Sequence, residues 1–258
     1  MRKIKLKNLD RKVKAGAVSY LNTKPLIYGF EQGEMNDELD LVMDYPANIA
    51  RLLLDGEIDL GLVPVAVLPE MKEYYIVGDH CIGCDGPVAS VCLFSQVPVH
   101  KIQTVLLDYQ SRTSVALVQV LIKEFWKQEV VFEHATGEFR QRVQGNTAAL
   151  VIGDRAFDMI HRCEYVYDLG EAWKSYTGRP FVFAVWAANI KPGEAFTKRF
   201  NAANAVGFSH LPEIIEKAGV PSHYPDLLKY FTRNIRYRFG SEQQEALALF
   251  LEKLEAQK

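Results

Sequence analysis

The chain is poor in cysteine, and the context of its cysteines argues against a disulfide scaffold or a metal site. Its 258 residues contain only Cys81, Cys84, Cys92 and Cys163. Small disulfide-stapled folds use more cysteines in shorter chains. A structural zinc would need a second ligand pair beside Cys81 and Cys84, and only His161 with Cys163 is conceivable. Because Gly83 and the Asp85-Gly86-Pro87 stretch predict a turn, we interpret the Cys81–Cys84 spacing as incidental and expect no metal.

Basic charge, long apolar runs and a nucleotide-binding loop are also missing. The net charge of −2 argues against nucleic acid as the main partner, because binding phosphates needs a basic excess. The first 14 residues hold seven Lys or Arg but no apolar stretch follows. We therefore expect a solvated basic tail, no membrane partner and a cytoplasmic location. A G-x-x-x-x-G-K-[ST] pattern is absent, which argues against a P-loop.

The sequence does contain a repeated alternation of strand and helix patterns. Apolar runs at 13–18, 58–65 and 148–152 predict strands, and the stretches at 47–54 and 115–126 predict helices. This alternation predicts an α/β fold with mainly parallel strands. Near the end of the chain, the sequence Ser241 to Gln244 predicts a capping box for a final helix.

Two parts of the chain follow the same order of elements, which predicts two similar lobes. Each runs strand, polar loop, helix, then a glycine and a buried strand. Ser111 lies 92 residues after Ser19, and Gly145 lies 89 residues after Gly56. We expect a type II periplasmic-binding-protein-like fold, with a ligand cleft between the lobes. The predicted first lobe is 1–95 plus 187–258, the second is 96–186, and 88–95 and 181–188 are the strands that cross between them.

A polar loop at residues 19–24 stands between a predicted strand and a predicted helix. The strand pattern ends at Val18, and Pro25 suits a first helical turn. The loop offers a hydroxyl, a phenol, an amide and an ammonium group close to free helix N–H groups, which suits an anionic small molecule. Ser19, Tyr20 and Asn22 are therefore candidate site residues. The alternative is an ordinary connecting loop with a helix cap.

The second lobe offers two comparable groups of polar residues. The sequence Ser111-Arg112-Thr113-Ser114 precedes a helix, and its hydroxyls and guanidinium suit a carboxylate or phosphate. The alternative is a serine N-cap without a ligand. Asp154 directly follows a buried strand, where it could contact a ligand, cap the next helix, or pair with Arg155 or Arg112.

Five segments together resemble the chorismate dehydratases of the futalosine route to menaquinone. The resemblance runs from about residue 13 to the C-terminus, and its first and last segments are the most specific. Cys81-Ile82 also fits the family's pattern, whereas Cys84 stands where the family is variable. The matching segments are 18–26, 85–91 with 93–95, 111–114, 151–154, and 168–173 leading to 177–186.

The resemblance implies a hydro-lyase that converts chorismate to 3-[(1-carboxyvinyl)oxy]benzoate and water. Aromatisation supplies driving force, so no cofactor is expected. Asn22 is our choice to stabilise developing negative charge, and Ser90 to hydrogen-bond the departing hydroxyl. Ser90 could instead be a buried strand serine bonded to backbone. Substrate carboxylates would be held by Ser19, Tyr20, Ser111, Arg112, Thr113 and Ser114, and Asp154 is a further substrate-binding candidate that could contact a ligand hydroxyl.

The general base is left open by the sequence. Apart from His80, the matched loops contain no histidine, so we hypothesise that a substrate carboxylate takes the ring proton. Alternative functions are a sister enzyme that cleaves cyclic dehypoxanthinyl futalosine, a non-catalytic solute-binding protein, or a ligand sensor. The sister enzyme has a His-Glu pair near the position of Gly153-Asp154 here, so it resembles this chain less.

Overall fold

The computed structural model describes residues 11–257, which form two α/β lobes. The predicted basic tail falls largely in residues 1–10, outside the described residues. The strands are β1 Val13–Val18, β2 Leu39–Asp44, β3 Leu60–Pro64, β4 Tyr75–Cys84, β5 Val91–Ser95, β6 Thr104–Asp108, β7 Val131–Ala135, β8 Thr147–Ile152, β9 Tyr165–Asp168, β10 Phe181–Ala188 and β11 Arg236–Arg238. The helices are α1 Lys24–Glu31, α2 Pro46–Leu54, α3 Thr113–Val120, α4 Leu169–Thr177, α5 Glu194–Val206, α6 Leu211–Ala218, α7 Leu227–Lys229 and α8 Ser241–Glu255.

The two sheets share one plan, as the repeated order of elements predicts. The first sheet has the order β11-β4-β10-β3-β1-β2, and the second has the order β7-β6-β8-β5-β9. In the first, β1 is parallel to β2 and β3, and β10 is antiparallel to β3. In the second, β6 is parallel to β7 and β8, and β5 is antiparallel to β8. The predicted fold of two α/β lobes is confirmed.

The second sheet is built from one continuous part of the chain, β5 to β9, whereas the first sheet consists of β1 to β4 together with β10 and β11. β5 follows the first-lobe strands but joins the second sheet, and β10 follows the second-lobe strands but joins the first. The chain therefore crosses from one sheet to the other within residues 85–90 and crosses back within residues 178–180. The lobe limits predicted at 95/96 and 186/187 lie several residues later, and as domain limits they remain a prediction.

The C-terminal part of the chain packs back on the first lobe. The α5 residues Phe196 and Phe200 are buried there, and Phe200 packs edge-on against Trp186 of β10 with ring centroids 5.0 Å apart. The buried Trp186 indole donates to Asn204 at 2.9 Å, so its polar atom is satisfied inside the core. The antiparallel strand β11 then extends the first sheet at β4.

Three local predictions differ from the structure. Gly83 does not belong to the predicted turn but to the end of β4, because its backbone pairs with β10, and the chain bends only after Cys84, at residues 85–86. The final helix is capped at Gly240, whose N–H donates to Gln243 at 3.1 Å, so the capping box predicted at Ser241 to Gln244 is wrong. The predicted helix at 115–126 is α-helical only to Val120 and continues as a π-helical turn.

The cysteines of β4 are buried side chains packed in different places. The Cys81 thiol contacts the carbonyl oxygens of Arg236 and Arg238, whereas the Cys84 sulfur lies against Gly170. Burial raises the pKa of both thiols. Within residues 11–257, no three His, Cys, Asp or Glu side chains are grouped to hold a metal ion. In the same range, no helix is long and apolar enough to span a membrane.

Candidate active site

The cleft lies where strand ends of the two lobes face each other. Residues that follow β1, β6 and β8 contribute to its wall, as expected for ligand sites at the carboxyl ends of parallel strands. The space between its walls is about 500 Å³, part of which is open to solvent. Most of the wall is apolar, and the polar groups come from Tyr20, Asn22, Ser111, Thr113 and Ser114.

The loop after β1 places Asn22 and Tyr20 in this cleft but turns Ser19 away. Residues Leu21–Thr23 form a short 3-10 turn that leads into α1, and Asn22 is only 8% exposed. The Asn22 carbonyl oxygen accepts a hydrogen bond from the Tyr237 phenol at 2.9 Å. Ser19 is exposed, lies outside the lining, and donates its N–H to Asp44 at 3.0 Å. Ser19 therefore lies apart from the residues with which it was predicted to act.

Ser90 lies directly behind the cleft wall, between the lining residues Val88 and Val91. It is fully buried, and its hydroxyl accepts a hydrogen bond from the Tyr230 phenol at 2.8 Å. The Ser90 carbonyl oxygen accepts from Gly153 at 2.8 Å. The predicted alternative was a buried strand serine bonded to backbone; Ser90 is buried, but it lies just before β5 and its hydroxyl is bonded to a side chain.

An unusual backbone conformation precedes Ser90. Ala89 has a φ of +66°, which a residue with a side chain rarely adopts. Asp168 holds this backbone, since its carboxylate accepts from Val88 at 3.1 Å and from Ala89 at 2.6 Å. The same carboxylate caps α4. Asp168 therefore ties the loop that carries Ser90 to the second lobe.

The loop after β6 both caps a helix and lines the cleft. The Ser111 hydroxyl accepts from the Ser114 N–H at 3.0 Å in the manner of a capping bond, although the N-cap residue of α3 is Arg112. The Thr113 hydroxyl accepts from the Ala66 N–H at 3.2 Å and so connects the lobes. Arg112 does not line the cleft, because its guanidinium is paired with Glu70 at 2.9 Å. The structure therefore groups Ser111, Thr113 and Ser114 but separates Arg112 from them.

Asp154 bridges the two lobes instead of capping a helix or pairing with an arginine. Its carboxylate accepts from the Leu21 N–H at 3.1 Å, next to Asn22. Burial raises the pKa of Asp154 to about 6, although the Leu21 N–H and the charge of Lys24 act in the opposite direction. The carboxyl group of Asp154 thus contacts the first-lobe loop, and its pKa is raised to about 6.

We expect this carboxyl group to make the stability of the protein depend on pH. Because its folded-state pKa is about 6 rather than 3.8, the folded protein keeps a proton that the unfolded chain has already lost. The free energy of unfolding therefore falls as the pH rises from about 4 to 6, by about 1–2 kcal/mol from this group. Asp154→Asn keeps an acceptor for Leu21 and removes the titration. Thermal melts at several pH values should show the stability of the variant rising relative to that of the wild type between about pH 4 and 6. A difference in stability that does not change with pH would contradict the raised pKa of Asp154.

Sequence reasoning missed a polar cluster beneath the second-lobe loops. The buried Asp108 carboxylate accepts from the Ile152 N–H at 3.1 Å and pairs with Arg155 at 2.6 Å. Tyr20 crosses from the first lobe and donates its phenol hydrogen to Gln110. Burial raises the pKa of this phenol, so it remains a donor. The sequence position of Asp108 could have indicated this cluster. Asp108 is the last residue of a buried strand, and Asp154, which was chosen as a candidate, likewise stands just after a buried strand.

Gly153 provides the close approach that lets Tyr20 reach across the cleft. Its φ is +65°, and a Cβ atom there would lie 2.8 Å from the Tyr20 ring. We expect Gly153→Ala to lower the free energy of unfolding by about 2–4 kcal/mol, from backbone strain and the ring clash together. Gly145→Ala is the matched control, because Gly145 has a similar φ of +55° with nothing within 4 Å of its Cβ position.

Chemical denaturation of both glycine variants measures the contribution of the close approach. The control should lose only the backbone component, about 1 kcal/mol. Equal losses in Gly153→Ala and Gly145→Ala would show that the Tyr20 ring moves aside freely, and the proposed close packing between the lobes would then be wrong.

Comparison with known proteins identifies the family of this chain. A family profile described as menaquinone biosynthesis matches residues 13–256. The chain belongs to this menaquinone biosynthesis family. Chorismate dehydratase from Thermus thermophilus is 30% identical over 233 residues, covering 81% of this chain and 84% of that protein. The menaquinone biosynthesis family is therefore shown both by the profile and by a curated relative.

Solved structures confirm the predicted periplasmic-binding-protein-like fold. A crystal structure of an Archaeoglobus fulgidus protein is similar with a TM-score of 0.71 and 14% identity, covering 96% of this chain and 98% of the other. The periplasmic aliphatic sulphonate binding protein SsuA from Escherichia coli gives a TM-score of 0.59 and 16% identity, covering 97% and 95%. At these identities the likeness concerns the fold alone.

Proposed function

We propose that this protein is a chorismate dehydratase, a carbon–oxygen hydro-lyase that converts chorismate to 3-[(1-carboxyvinyl)oxy]benzoate and water. The observation that carries the proposal is that separate segments of the family resemblance supply the wall of one cleft. The lining residues from these segments are Val18, Tyr20, Asn22, Val88, Val91, Ser111, Thr113, Ser114, Ile152, Gly153, Phe183 and Ala184. The identity to a relative named chorismate dehydratase supports the same substrate. A cytoplasmic location is part of this proposal.

The reaction is an elimination in which atoms and electrons balance without an external oxidant or reductant. A base takes the proton from the ring carbon that bears the enolpyruvyl ether. The electron pair of that C–H bond forms the new ring double bond. The bond that breaks is the C–O bond of the hydroxyl group on the neighbouring ring carbon. The departing hydroxide takes up one proton and leaves as water. The protein therefore needs to orient the substrate, assist proton removal and stabilise the leaving oxygen.

The cleft offers these functions through neutral polar groups. In our proposal the Asn22 amide donates to the negative charge that develops on the substrate, and Ser90 donates to the departing hydroxyl. The hydroxyl groups of the 111–114 loop and the N-terminus of α3 hold substrate carboxylates. Tyr20 lines the opposite wall and contributes a further polar contact.

The base in this proposal is a carboxylate of the substrate itself. Among the described residues that line the cleft there is no histidine, lysine, aspartate or glutamate. The nearby Asp154 carboxylate is directed at the Leu21 N–H. A substrate carboxylate would be held by the protein in the position from which it removes the ring proton.

The apolar part of the wall suits the ring of the substrate and excludes water. Removing water strengthens the hydrogen bonds that remain, because the local dielectric constant is low. Aromatic and branched side chains also fit a flat ring that becomes aromatic during the reaction. These side chains are Val18, Ile82, Val88, Val91, Ile152 and Phe183.

A substrate panel tests the proposal against its alternatives. Purified protein is incubated with chorismate or with cyclic dehypoxanthinyl futalosine, and products are followed by liquid chromatography with mass detection. We expect loss of one water from chorismate and no change in the second compound. Turnover of the second compound alone would favour the sister enzyme, and tight chorismate binding without turnover would favour a binding protein.

A further inference from the structure

One segment near the C-terminus supports both proposed reacting residues from behind the cleft. We refer to residues 226–238 as the supporting segment. The Tyr230 phenol donates to the Ser90 hydroxyl at 2.8 Å. The Tyr237 phenol donates to the Asn22 carbonyl oxygen at 2.9 Å. The same segment therefore contacts two residues from distant parts of the chain, Ser90 through its hydroxyl and Asn22 through its backbone carbonyl.

Tyr230 is held firmly in place by its surroundings. Its side chain is 1% exposed, and its ring meets Phe157 edge-on with centroids 5.3 Å apart. The π-helical turn Tyr230–Asn234 starts at this residue, and such turns are frequent at functional sites. At the other end of the turn, the Asn234 amide donates to the Pro87 carbonyl at 2.9 Å, in the loop that leads to Ser90. The donor and its acceptor are thus fixed relative to each other.

The direction of the hydrogen bond determines what Ser90 can do. The Tyr230 phenol is the donor to Ser90, and burial raises the pKa of Tyr230, so this phenol keeps its hydrogen. The Ser90 oxygen accepts this hydrogen, and its own hydrogen remains for another acceptor. Asn22 also interacts with the Tyr230 phenol, which lowers the pKa of that phenol against the effect of burial. Hydrogen bonds in such a chain strengthen one another.

We propose that Tyr230 is a positioning residue that orients the Ser90 hydroxyl so that its hydrogen is donated to the leaving oxygen of the substrate. Tyr230 touches neither the substrate nor the reacting atoms in this proposal, and it lies outside the residues that line the cleft. In this proposal its effect on the leaving oxygen is transmitted through Ser90. The inference rests on the proposed function of the same cleft.

Tyr230→Phe tests this role, because it removes one hydroxyl and keeps the ring that packs on Phe157. We expect kcat on chorismate to fall about tenfold and KM to change by less than about twofold. Tyr28→Phe is the matched control, since the Tyr28 phenol also donates one hydrogen bond, to Glu213 at 2.7 Å, but does not line the cleft. The control should keep wild-type kinetics.

A double-mutant cycle with Ser90→Ala separates positioning from general stabilisation. If Tyr230 acts through Ser90, Ser90→Ala combined with Tyr230→Phe should have the same kcat as Ser90→Ala alone, within about twofold. Losses that multiply would overturn the proposal, as would an unchanged kcat in Tyr230→Phe. Should Tyr230→Phe fail to fold, fluorotyrosine at position 230 keeps the hydroxyl and strengthens it as a donor. An unchanged kcat in that variant would likewise overturn the proposal.

The wild-type reaction separates this proposal from the proposed function. Turnover of chorismate by the wild type, with an unaffected Tyr230→Phe, would overturn only the role of Tyr230. Absence of an aromatic product from the wild type would overturn the proposed function and this inference with it.

Discussion

Asn22→Ala should lower kcat on chorismate by about 10²–10³-fold while KM changes little. The reason is that the Asn22 amide is proposed to donate to charge that develops only in the transition state, and loss of one such donor costs about 3–4 kcal/mol of barrier. Asn22 is 8% exposed and lines the cleft. Its backbone carbonyl, which accepts from Tyr237, is retained in the variant. Steady-state kinetics with chorismate give both constants.

Asn189→Ala is a suitable control for the Asn22 experiment. The Asn189 amide donates to the Leu53 carbonyl at 2.9 Å, and its backbone N–H donates to Asp59, outside the cleft lining. The substitution Asn189→Ala therefore removes an amide hydrogen bond without changing the cleft. Near-normal kcat in Asn22→Ala, with folding preserved, would show that this amide does not stabilise the transition state.

Asp168→Ala should produce the largest loss of stability among the changes considered. The Asp168 carboxylate accepts from the backbone N–H groups of Val88, Ala89, Gly170 and Glu171. Burial raises the pKa of Asp168, and these four N–H groups act in the opposite direction. Removing the carboxylate leaves buried donors unpaired and frees the strained backbone at Ala89. We expect the free energy of unfolding to fall by about 3–5 kcal/mol.

Asp226→Ala separates this effect from ordinary helix capping. Asp226 also accepts from two backbone N–H groups, Leu228 at 2.9 Å and Lys229 at 3.2 Å, but in an exposed setting. Its loss should cost about 1 kcal/mol. Urea denaturation of both variants decides the question. If Asp168→Ala lost no more stability than Asp226→Ala, the claim that Asp168 holds the Ser90 loop would be contradicted.

The lobes and the first cleft loop could be predicted because they depend on local patterns. Buried parallel strands such as β3 and β8 are continuous apolar runs. A polar loop between such a strand and a helix indicates a site, and the structure places Tyr20 and Asn22 there. Ser111, Thr113 and Ser114 follow the same logic in the second lobe. The position of a polar residue just after a strand end therefore helped to predict which residues line the cleft.

Side-chain direction could not be predicted from the same loops. Ser19 and Arg112 belong to the right loops, but Ser19 is exposed and Arg112 is paired with Glu70 across the lobes. Neither outcome follows from neighbours in sequence, because each depends on a contact with a distant residue. Membership of a loop thus identified the region of the site but not every member of it.

The supporting tyrosines were missed for a related reason. Tyr230 lies 140 residues from Ser90 in sequence, and Tyr237 lies 215 residues from Asn22. Their segment has no strand–loop–helix pattern that would indicate a ligand site. Only the packing of the C-terminal part on the first lobe brings the phenols to Ser90 and Asn22. Long-range hydrogen bonds of this kind leave no local signal in a single sequence.

Proton NMR of chorismate during incubation with the purified protein tests the central claim most directly. We predict that the signals of the cyclohexadiene ring disappear and those of a meta-substituted benzoate appear, while both vinyl protons of the enolpyruvyl group remain. The rate should scale with protein concentration and vanish after heat denaturation. Unchanged chorismate, or loss of the enolpyruvyl group as pyruvate, would contradict the assignment of this protein as a chorismate dehydratase.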